Sequence, residues 1–434
     1  MTFAAYVLIG CFVLMLVFVF LRIPLWIAMG VSAFAGMILI GGLRYTLQQF
    51  TTLPFSQTAS YSYAVIPLFI LMGVIAADCG LGETTYGAIS KLTGSLPSGP
   101  LIATIAGSAL IGACTGTGVA ATAIFTKMSM PELKRRGYDI NLSLACISSA
   151  SNIAVLIPPS VPIVFLCMIT NISVGRTLMA GTIPGLLVSA LMVITLLIIA
   201  KMHPETMPDV KSDVSRKEKL MALPKLVPIL LIFLVVVGGI YAGVFAPSVG
   251  GAVGAAVVIV YALIVRTPVK TIAKSFGEAV VLTGQVFAFL ITAFLFARLV
   301  ALSQASEILL NAIFAANLHK YVVMGIVFVL FLIMGCLMDI LPMLVIMLPI
   351  VFPLLTSMGF NETALAIIIV ILSSIGGITP PVGLGVFLIS SIAKVPPGGI
   401  FKRVIPFFFA LLLAAILLVF IPQIATWLPD VLMP

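Results

Sequence analysis

Two pairs of adjacent prolines, each inside an apolar segment long enough to cross a membrane, constrain this chain more than any other feature. Pro158-Pro159 lies in the segment 141–171, and Pro380-Pro381 lies in the segment 362–393. Proline removes a backbone donor and disfavours helical geometry at the residue before it, so neither segment can be one regular helix. Carbonyl groups freed within hydrocarbon need another partner. Each interruption therefore indicates either a proline kink without a ligand or a binding site.

The two interrupted segments are copies of one pattern, 222 positions apart from Pro158 to Pro380. The same offset, without a gap, pairs Pro131 with Pro353, Gly137 with Gly359, Tyr138 with Phe360, Asp139 with Asn361, Ser151 with Ser373, Phe165 with Phe387 and Pro184 with Pro406. A run of this length indicates a duplicated unit. Interrupted membrane segments at matching places in two halves are typical of transporter binding sites.

Composition assigns the chain to the membrane and excludes several classes of function. Of its 434 residues, 62% are hydrophobic and 8% are charged, whereas soluble domains carry about 25% charged residues. The net charge of +9 comes from basic residues that flank apolar spans, which predicts orientation rather than nucleic-acid binding. The six cysteines are scattered without a CxxC pair, so we predict no transition-metal site. We also predict no organic cofactor. Residues 1–20 lack a basic start and are predicted to be a retained span rather than a signal peptide.

Each half of the chain predicts the same order of elements: three scaffold helices, a re-entrant hairpin, a broken helix and one further helix. The fold class is thus an all-α polytopic membrane protein built from two repeats. We predict scaffold helices in 1–97, transport elements in 98–200, a cytoplasmic linker in 201–226, scaffold helices in 227–302 and transport elements in 303–434. Within this order, 131–137 reads as a short basic loop, and spans are predicted at 24–43, 276–301 and 404–428.

The hairpins are predicted from helix-breaking tips inside apolar segments. The first segment, 98–128, holds Thr115-Gly116-Thr117-Gly118 at its middle, a poor helix centre. A plain span with a glycine packing face is the alternative. The second hairpin, 321–353, has residues 335–339 near its tip.

Basic residues predict the orientation. If the amino terminus is outside, 18 of the 22 Lys and Arg residues face the cytoplasm and four lie outside or near that edge: Arg44, Arg176, Arg298 and Lys320. This bias follows the positive-inside rule. Five crossings in each half, an odd number, invert the second repeat relative to the first and place both termini outside.

The hairpin tips and helix breaks should meet near the middle of the membrane, where hydroxyl groups are concentrated. Hard oxygen ligands suit sodium, although hydroxyls in membrane helices often bond only their own backbone. We predict sodium ligands at Thr115, Thr117, Asn152, Pro158, Asp339, Ser374, Thr379 and Gly383. We predict substrate contacts at Thr115, Gly116, Ser151, Ser160, Ser373 and Pro381.

Asp339 is the only charged residue between Lys320 and Glu362. A carboxylate in a long apolar run indicates a functional site, here close to a cation. The alternative is that it caps a hairpin helix. No basic residue lies at either tip or break, so an anionic substrate would depend on amide dipoles, hydroxyls and bound cations.

Four stretches, 156–162, 131–139, Met338-Asp339 and 379–383, resemble the large membrane subunit of tripartite ATP-independent periplasmic (TRAP) transporters, the DctM-type family. The resemblance implies an elevator mechanism with sodium as coupling ion and uptake of an organic acid such as a C4-dicarboxylate, a keto acid or sialic acid. It also implies two partners in the bacterial inner membrane system: a small four-helix membrane subunit (Q type) and a periplasmic substrate-binding protein (P type).

Two stretches depart from the family pattern. The first tip is usually of Ser-Gly-Ser-Ser type where this chain has Thr115-Gly116-Thr117-Gly118, and the first break usually carries glycines where it has Ser151-Asn152. Both changes keep oxygen ligands and both affect the expected choice of substrate.

A different transporter also fits the breaks. It is a sodium–dicarboxylate carrier with the same inverted-repeat architecture and no binding protein. An enzyme is not predicted, because the sequence has no GxSxG or HExxH arrangement.

Overall fold

The protein, described here from a computed structural model, is helical along its length. The structure describes residues 3–21, 23–94, 96, 98–116, 118–208, 215–380 and 383–433, and these ranges contain no β-strand. Nine of the described helical segments are long and apolar enough to cross a membrane. The predicted all-α polytopic membrane class is therefore confirmed.

The first half contains nine helices in the described residues. They are α1 (Phe3–Phe20), α2 (Leu25–Thr58), α3 (Val65–Asp78), α4 (Leu81–Thr93), α5 (Gly99–Thr115), α6 (Gly118–Arg135), α7 (Ile140–Ala150), α8 (Val161–Thr170) and α9 (Val174–Met202). α5 and α6 form the first hairpin, and α7 and α8 form the first broken helix. A 3-10 turn, Ser151–Val155, continues α7 into the break.

The second half follows with the same order. Its helices are α10 (Arg216–Ala222), α11 (Val227–Phe233), α12 (Gly239–Tyr241), α13 (Pro247–Ile264), α14 (Val269–Leu302), α15 (Ala305–Ala315), α16 (Lys320–Leu337), α17 (Ile340–Ser357), α18 (Glu362–Gly376), α19 (Leu384–Ala393), α20 (Pro397–Phe420) and α21 (Gln423–Leu432). α10 to α12 join into one membrane-length segment, 217–241. α16 and α17 form the second hairpin, and α18 and α19 form the second broken helix.

The helices recur at the offset found in the sequence. α6 and α17 begin 222 positions apart, as do α7 and α18. The caps agree as well: Asp139 accepts a hydrogen bond from the Leu142 amide at 2.7 Å, and Asn361 accepts one from the Ala364 amide at 3.0 Å. Such a side-chain oxygen pairs an amide that the first helical turn leaves free. The duplication is therefore visible in the structure down to single hydrogen bonds.

The second broken helix is one residue longer than the first, from the start of its first half to the start of its second half. The residues that precede α8 and α19, Ser160 and Gly383, are 223 positions apart. The left-handed residues that follow the two helices, Asn171 and Lys394, are also 223 positions apart. The gap-free pairing predicted across α8 and α19 is therefore wrong by one residue.

Contacts between the halves come in pairs that the repeat exchanges. α2 packs along α14 as α13 packs along α3, and α6 packs on α19 as α17 packs on α8. In the same way α7 contacts α20 and α18 contacts α9. These paired contacts support a pseudo-twofold arrangement of the two repeats. The inverted orientation of the second repeat in the membrane stays a prediction.

Two helices, α4 and α15, precede the hairpins and were missed by the predicted order. They end 222 positions apart. The Tyr86 and Ser90 hydroxyls of α4 donate to the Glu132 carboxylate at 3.2 and 3.1 Å, and Arg136 pairs with the same carboxylate at 2.7 Å. Burial and this neighbouring carboxylate raise the pKa of the Tyr86 hydroxyl, so that it stays a donor. The network fixes α4 on the base of the first hairpin.

Several predicted boundaries are wrong. α6 continues through Pro131 to Arg135, so the predicted basic loop includes its last helical turn. α2 continues past residue 43 with a kink at Gly42 (φ 79°), and α14 begins at residue 269 rather than 276. The predicted span 404–428 is two helices, because Pro422 disfavours helical geometry at Ile421 (φ −128°) and ends α20.

The depth of the breaks follows from helix length. α7 has 11 residues and α8 has 10, which at about 1.5 Å per residue gives roughly 15–17 Å for each. Each is about half of the roughly 30 Å of hydrocarbon in a bilayer. The break between them therefore lies near mid-depth, and the hairpin tips that contact the breaks reach the same level.

Candidate functional site

The first break is held open by its own side chains and by the first hairpin. Ser160 caps α8 by accepting from the Ile163 amide at 3.3 Å, and its hydroxyl donates to the Val155 carbonyl. The Val161 amide donates to the Gly116 carbonyl at the hairpin tip, at 3.2 Å. Some of the backbone N–H and C=O groups at the broken ends of the helix therefore have hydrogen-bond partners within the protein. Such partners are needed because hydrocarbon offers none.

Gly116 makes this contact possible. Its backbone is left-handed (φ 60°), and a Cβ placed there would lie 2.8 Å from the Pro159 carbonyl oxygen. Only glycine adopts this conformation without strain and also fits the space. The tip of the first hairpin is thereby seated directly on the double-proline break.

The second break is built in a related way. α18 ends at Gly376, and the Gly377 carbonyl accepts from the Gly385 amide in the first turn of α19 at 2.8 Å. The second hairpin approaches through another glycine pair, since a Cβ on Gly335 would lie 2.5 Å from the Gly376 Cα. In the first repeat, one residue before the counterpart of Gly335, a Cβ on Gly112 would collide with Ala154, the counterpart of Gly376. Each hairpin is thus packed backbone to backbone against its own break.

The four elements border a cavity of about 290 Å³. Both tips, both breaks and the first turns of α8 and α19 contribute to its wall. The lining residues are Gly118, Thr122, Ser148, Ser151, Asn152, Val155, Val161, Pro162, Asp339, Ile340, Leu341, Ser374, Gly377, Ile378, Leu384, Gly385 and Leu388. The predicted convergence of tips and breaks is therefore found in the structure.

Among the described residues of this wall, Asp339 alone is ionisable. Its carboxylate accepts from the Ile340 amide at 2.8 Å and so caps α17. No Lys or Arg of the described residues forms an ion pair with it. The cap predicted as the alternative role is present, and the same carboxylate still borders the cavity, so the two roles are compatible.

Three hydroxyls of the wall donate to nearby acceptors. Ser151 donates to the Ser148 carbonyl at 2.7 Å, and Ser374 donates to the Ile371 carbonyl at 2.8 Å. Thr122 lies within 2.7 Å of the Ser151 oxygen. A hydroxyl that donates its hydrogen keeps lone pairs. These oxygens therefore remain able to accept from a donor or to coordinate a cation.

The cavity wall includes four of the predicted site residues, Ser151, Asn152, Asp339 and Ser374. Outside its lining, Ser373 and Thr379 donate to the carbonyls of Ile369 and Ile375, each at 2.7 Å. Ser160 caps α8, Gly383 precedes α19, and Pro158 and Gly116 lie at the junction of break and tip. Thr117, Pro381 and the side chain of Thr115 lie outside the described residues. The assignment of all these residues to sodium or substrate stays a prediction.

Sequence reasoning missed Thr122 and Ser148 in the wall. Ser148 precedes the predicted site residue Asn152 by four positions, and Thr122 follows Gly118, the last residue of the predicted first tip, by four. Helical periodicity places such residues on the same face. The four-residue spacing was the signal that could have identified them.

The donor set of the cavity consists of hydroxyl, amide, carbonyl and carboxylate oxygens. Such hard ligands fit Na⁺ or Ca²⁺ rather than a soft transition metal. Within the part of the chain that the structure describes, no cluster of three or more His, Cys, Asp or Glu residues could hold a metal ion.

Comparison with known proteins gives a consistent result over almost the whole chain. A sequence profile described as the tripartite ATP-independent periplasmic transporter, DctM component, matches residues 12–424. The chain is 27% identical over 379 residues to the C4-dicarboxylate TRAP transporter large permease protein DctM of Pseudomonas aeruginosa, covering 87% of this chain and 88% of that one.

A further relative and a solved structure extend the comparison. The ectoine TRAP transporter large permease protein TeaC of Halomonas elongata is 26% identical over 371 residues, covering 85% of this chain and 86% of that one. The fold is similar to the crystal structure of the Alcanivorax borkumensis YdaH transporter, with a TM-score of 0.56 and 16% identity over 90% of this chain and 89% of that one. The two relatives are named for different solutes, so likeness alone does not fix the substrate.

Proposed function

The chain belongs to the family of the DctM component of tripartite ATP-independent periplasmic transporters, and we propose that it takes up an organic acid with sodium as the coupling ion. The observation that carries this proposal is the cavity at which two tips and two breaks from both repeats converge. Its wall combines many oxygen atoms with one carboxylate that has no ion-pair partner among the described residues. Such a wall suits a cation and, through that cation, an anion.

We propose an elevator mechanism because the most extensive contacts between the repeats join elements of the same kind. Scaffold helices contact scaffold helices across the repeat, as α2 does with α14 and α3 with α13. Hairpins and broken helices contact each other, as α6 does with α19 and α17 with α8. The second group surrounds the cavity and can move as one body against the first.

The proposal places the chain in a bacterial cytoplasmic membrane with two partners. One is the small four-helix membrane subunit and the other is a periplasmic protein that delivers the acid. The name of the family, tripartite and periplasmic, supports partners of this kind.

Reconstituted uptake tests this function. Proteoliposomes that contain the chain and its small partner should accumulate a labelled organic acid only with an inward sodium gradient and the loaded binding protein. ATP should have no effect. Uptake that needs no binding protein would favour the two-component carrier instead, and uptake that is equal in potassium would contradict sodium coupling.

The proposed orientation, with both termini outside, is supported by the excess of basic residues on one side. Single cysteines introduced between 215 and 219 should react with an impermeant maleimide only from the cytoplasmic side. Cysteines near Asp430 should react only from the outside. Labelling of both regions from the same side would contradict the inverted repeats.

A further inference from the structure

Two hydrogen-bond donors beside the cavity have no partner, and we propose that they bind the carboxylate group of the substrate. They are the carboxamide nitrogen of Asn152 and the hydroxyl of Ser148. The two residues are 7% and 1% exposed. This inference rests on the proposed function, since it assigns a ligand class to the same cavity.

The position of the two residues makes them a pair. They are four residues apart at the end of α7 and the start of the following 3-10 turn, which places them on one face of the chain. That face borders the cavity. A buried polar group without a partner destabilises the protein that contains it. A ligand that accepts hydrogen bonds from both groups removes this cost and gains affinity from it.

Other hydroxyls in the wall are already engaged as donors. Ser151 donates to the Ser148 carbonyl and Ser374 to the Ile371 carbonyl, while Thr122 has acceptors in Gly118 and Ser151. Their remaining capacity is for accepting or for coordinating a cation. Asn152 and Ser148 differ from these residues because the Asn152 carboxamide N–H groups and the Ser148 hydroxyl have no partner. They are therefore suited to a ligand atom that accepts hydrogen bonds.

A carboxylate is the acceptor that fits this pair best. It offers two oxygens with about four lone-pair sites. Asp339 borders the cavity from the tip of the second hairpin, and its like charge disfavours an anion close to it. The acid group is therefore expected on the side of the first break, with sodium between it and Asp339. This assigns the Asn152 side chain to the substrate rather than to sodium.

Ser149 supplies a matched control for Ser148. It lies next along the same helix, is 0% exposed, and its hydroxyl also has no partner. It does not border the cavity. Ser149→Ala and Ser148→Ala therefore remove the same group from equally buried positions that differ in access to a ligand.

The experiment measures ligand affinity from thermal unfolding of the purified chain with its small membrane partner. Succinate, pyruvate, N-acetylneuraminate and ectoine are the probes, each titrated at fixed sodium, and sodium is also titrated alone. Asn152→Leu should weaken binding of the recognised acid about tenfold, the effect of losing one hydrogen bond to a charged group. Ser148→Ala should weaken it severalfold, and Asn152→Asp, which adds a negative charge at constant size, should weaken it more than Asn152→Leu.

Sodium binding without acid should be unchanged in Ser148→Ala and Asn152→Leu, and Ser149→Ala should behave as the wild-type chain. Acid affinities in Ser148→Ala and Asn152→Leu that match the Ser149→Ala control would overturn the inference and leave the proposed function in place. Tighter sodium binding in Asn152→Asp with unchanged acid binding would also overturn it. If the wild-type chain binds none of the acids in sodium, both the inference and the proposed function fail.

Discussion

The Asp339→Asn variant is expected to need about thirtyfold more sodium for half-maximal uptake than the wild-type chain. Two unit charges about 4 Å apart attract by roughly 4 kcal/mol at an effective dielectric constant of 20. If loss of hydration offsets about half of this attraction, roughly 2 kcal/mol remains, which corresponds to about thirtyfold in affinity. The variant keeps the shape of the side chain and removes its charge.

The fold should tolerate this change, because asparagine caps a helix as well as aspartate does. Asp139→Asn is the matched control: Asp139 also caps a helix, α7, by accepting from the Leu142 amide, it does not border the cavity, and its repeat counterpart is already Asn361. The measurement is the initial uptake rate as a function of sodium concentration in proteoliposomes. An unchanged sodium requirement in Asp339→Asn would show that this carboxylate serves only as a cap.

The features that the sequence predicted well are those fixed by local chemistry. Proline and glycine act on the backbone at their own positions, so the double-proline breaks and the tips at Gly116 and Asp339 lie where the pattern placed them. Because the unit is duplicated, each of these features occurs a second time at the matching position of the other half. The presence of the same break in both copies favoured a binding site over a proline kink without a ligand.

The features that the sequence missed depend on packing. α4 and α15 are too polar or too short to resemble membrane spans, and α4 is stabilised by a contact with Glu132, which is 46 residues from Tyr86. α20 ends at Phe420 although the following residues stay apolar, since Pro422 determines the end rather than hydropathy. Hydropathy averaged over a stretch of sequence detects neither the contact that stabilises α4 nor the helix end set by Pro422.

The site residues also divide into those that local sequence predicts and those that depend on packing. Residues at the breaks were found because a broken helix is visible in the sequence. Ser148 lies in a regular part of α7 and becomes a site residue only because α19 of the other repeat approaches it, with a Cβ on Gly385 expected 3.2 Å from the Ser148 hydroxyl. Contacts of this kind join residues more than 200 positions apart, and only the fold brings them together.

Net uptake of a monovalent acid is expected to be accelerated by an inside-negative membrane potential, whereas exchange of acid between the two sides is not. Asp339 contributes the only fixed charge of the cavity wall among the described residues. With one acid anion and two sodium ions the loaded cavity is neutral, and after release it carries one negative charge. The potential therefore acts on the return of the empty carrier, because it drives that negative charge outward.

Each such cycle brings in one net positive charge. This is worth about 2.3 kcal/mol per 100 mV, or roughly a fortyfold accumulation of the acid at 100 mV. A potassium gradient with valinomycin sets the potential in proteoliposomes, and net uptake and exchange are measured at the same saturating sodium concentration. A dianion carried with only two sodium ions would move no net charge and would lose the potential dependence of accumulation.

Asp339→Asn moves the charge from one step of this cycle to another. The empty carrier of the variant is neutral, so its return should no longer respond to potential. The loaded carrier, with two sodium ions and a monovalent acid, gains one positive charge, so exchange should become sensitive to potential where the wild-type chain is insensitive. Because Asp139→Asn changes a carboxylate outside the cavity wall, it should leave both steps as they are in the wild-type chain. Exchange that accelerates with potential in the wild-type chain would contradict a neutral loaded cavity and, with it, the placement of sodium beside Asp339.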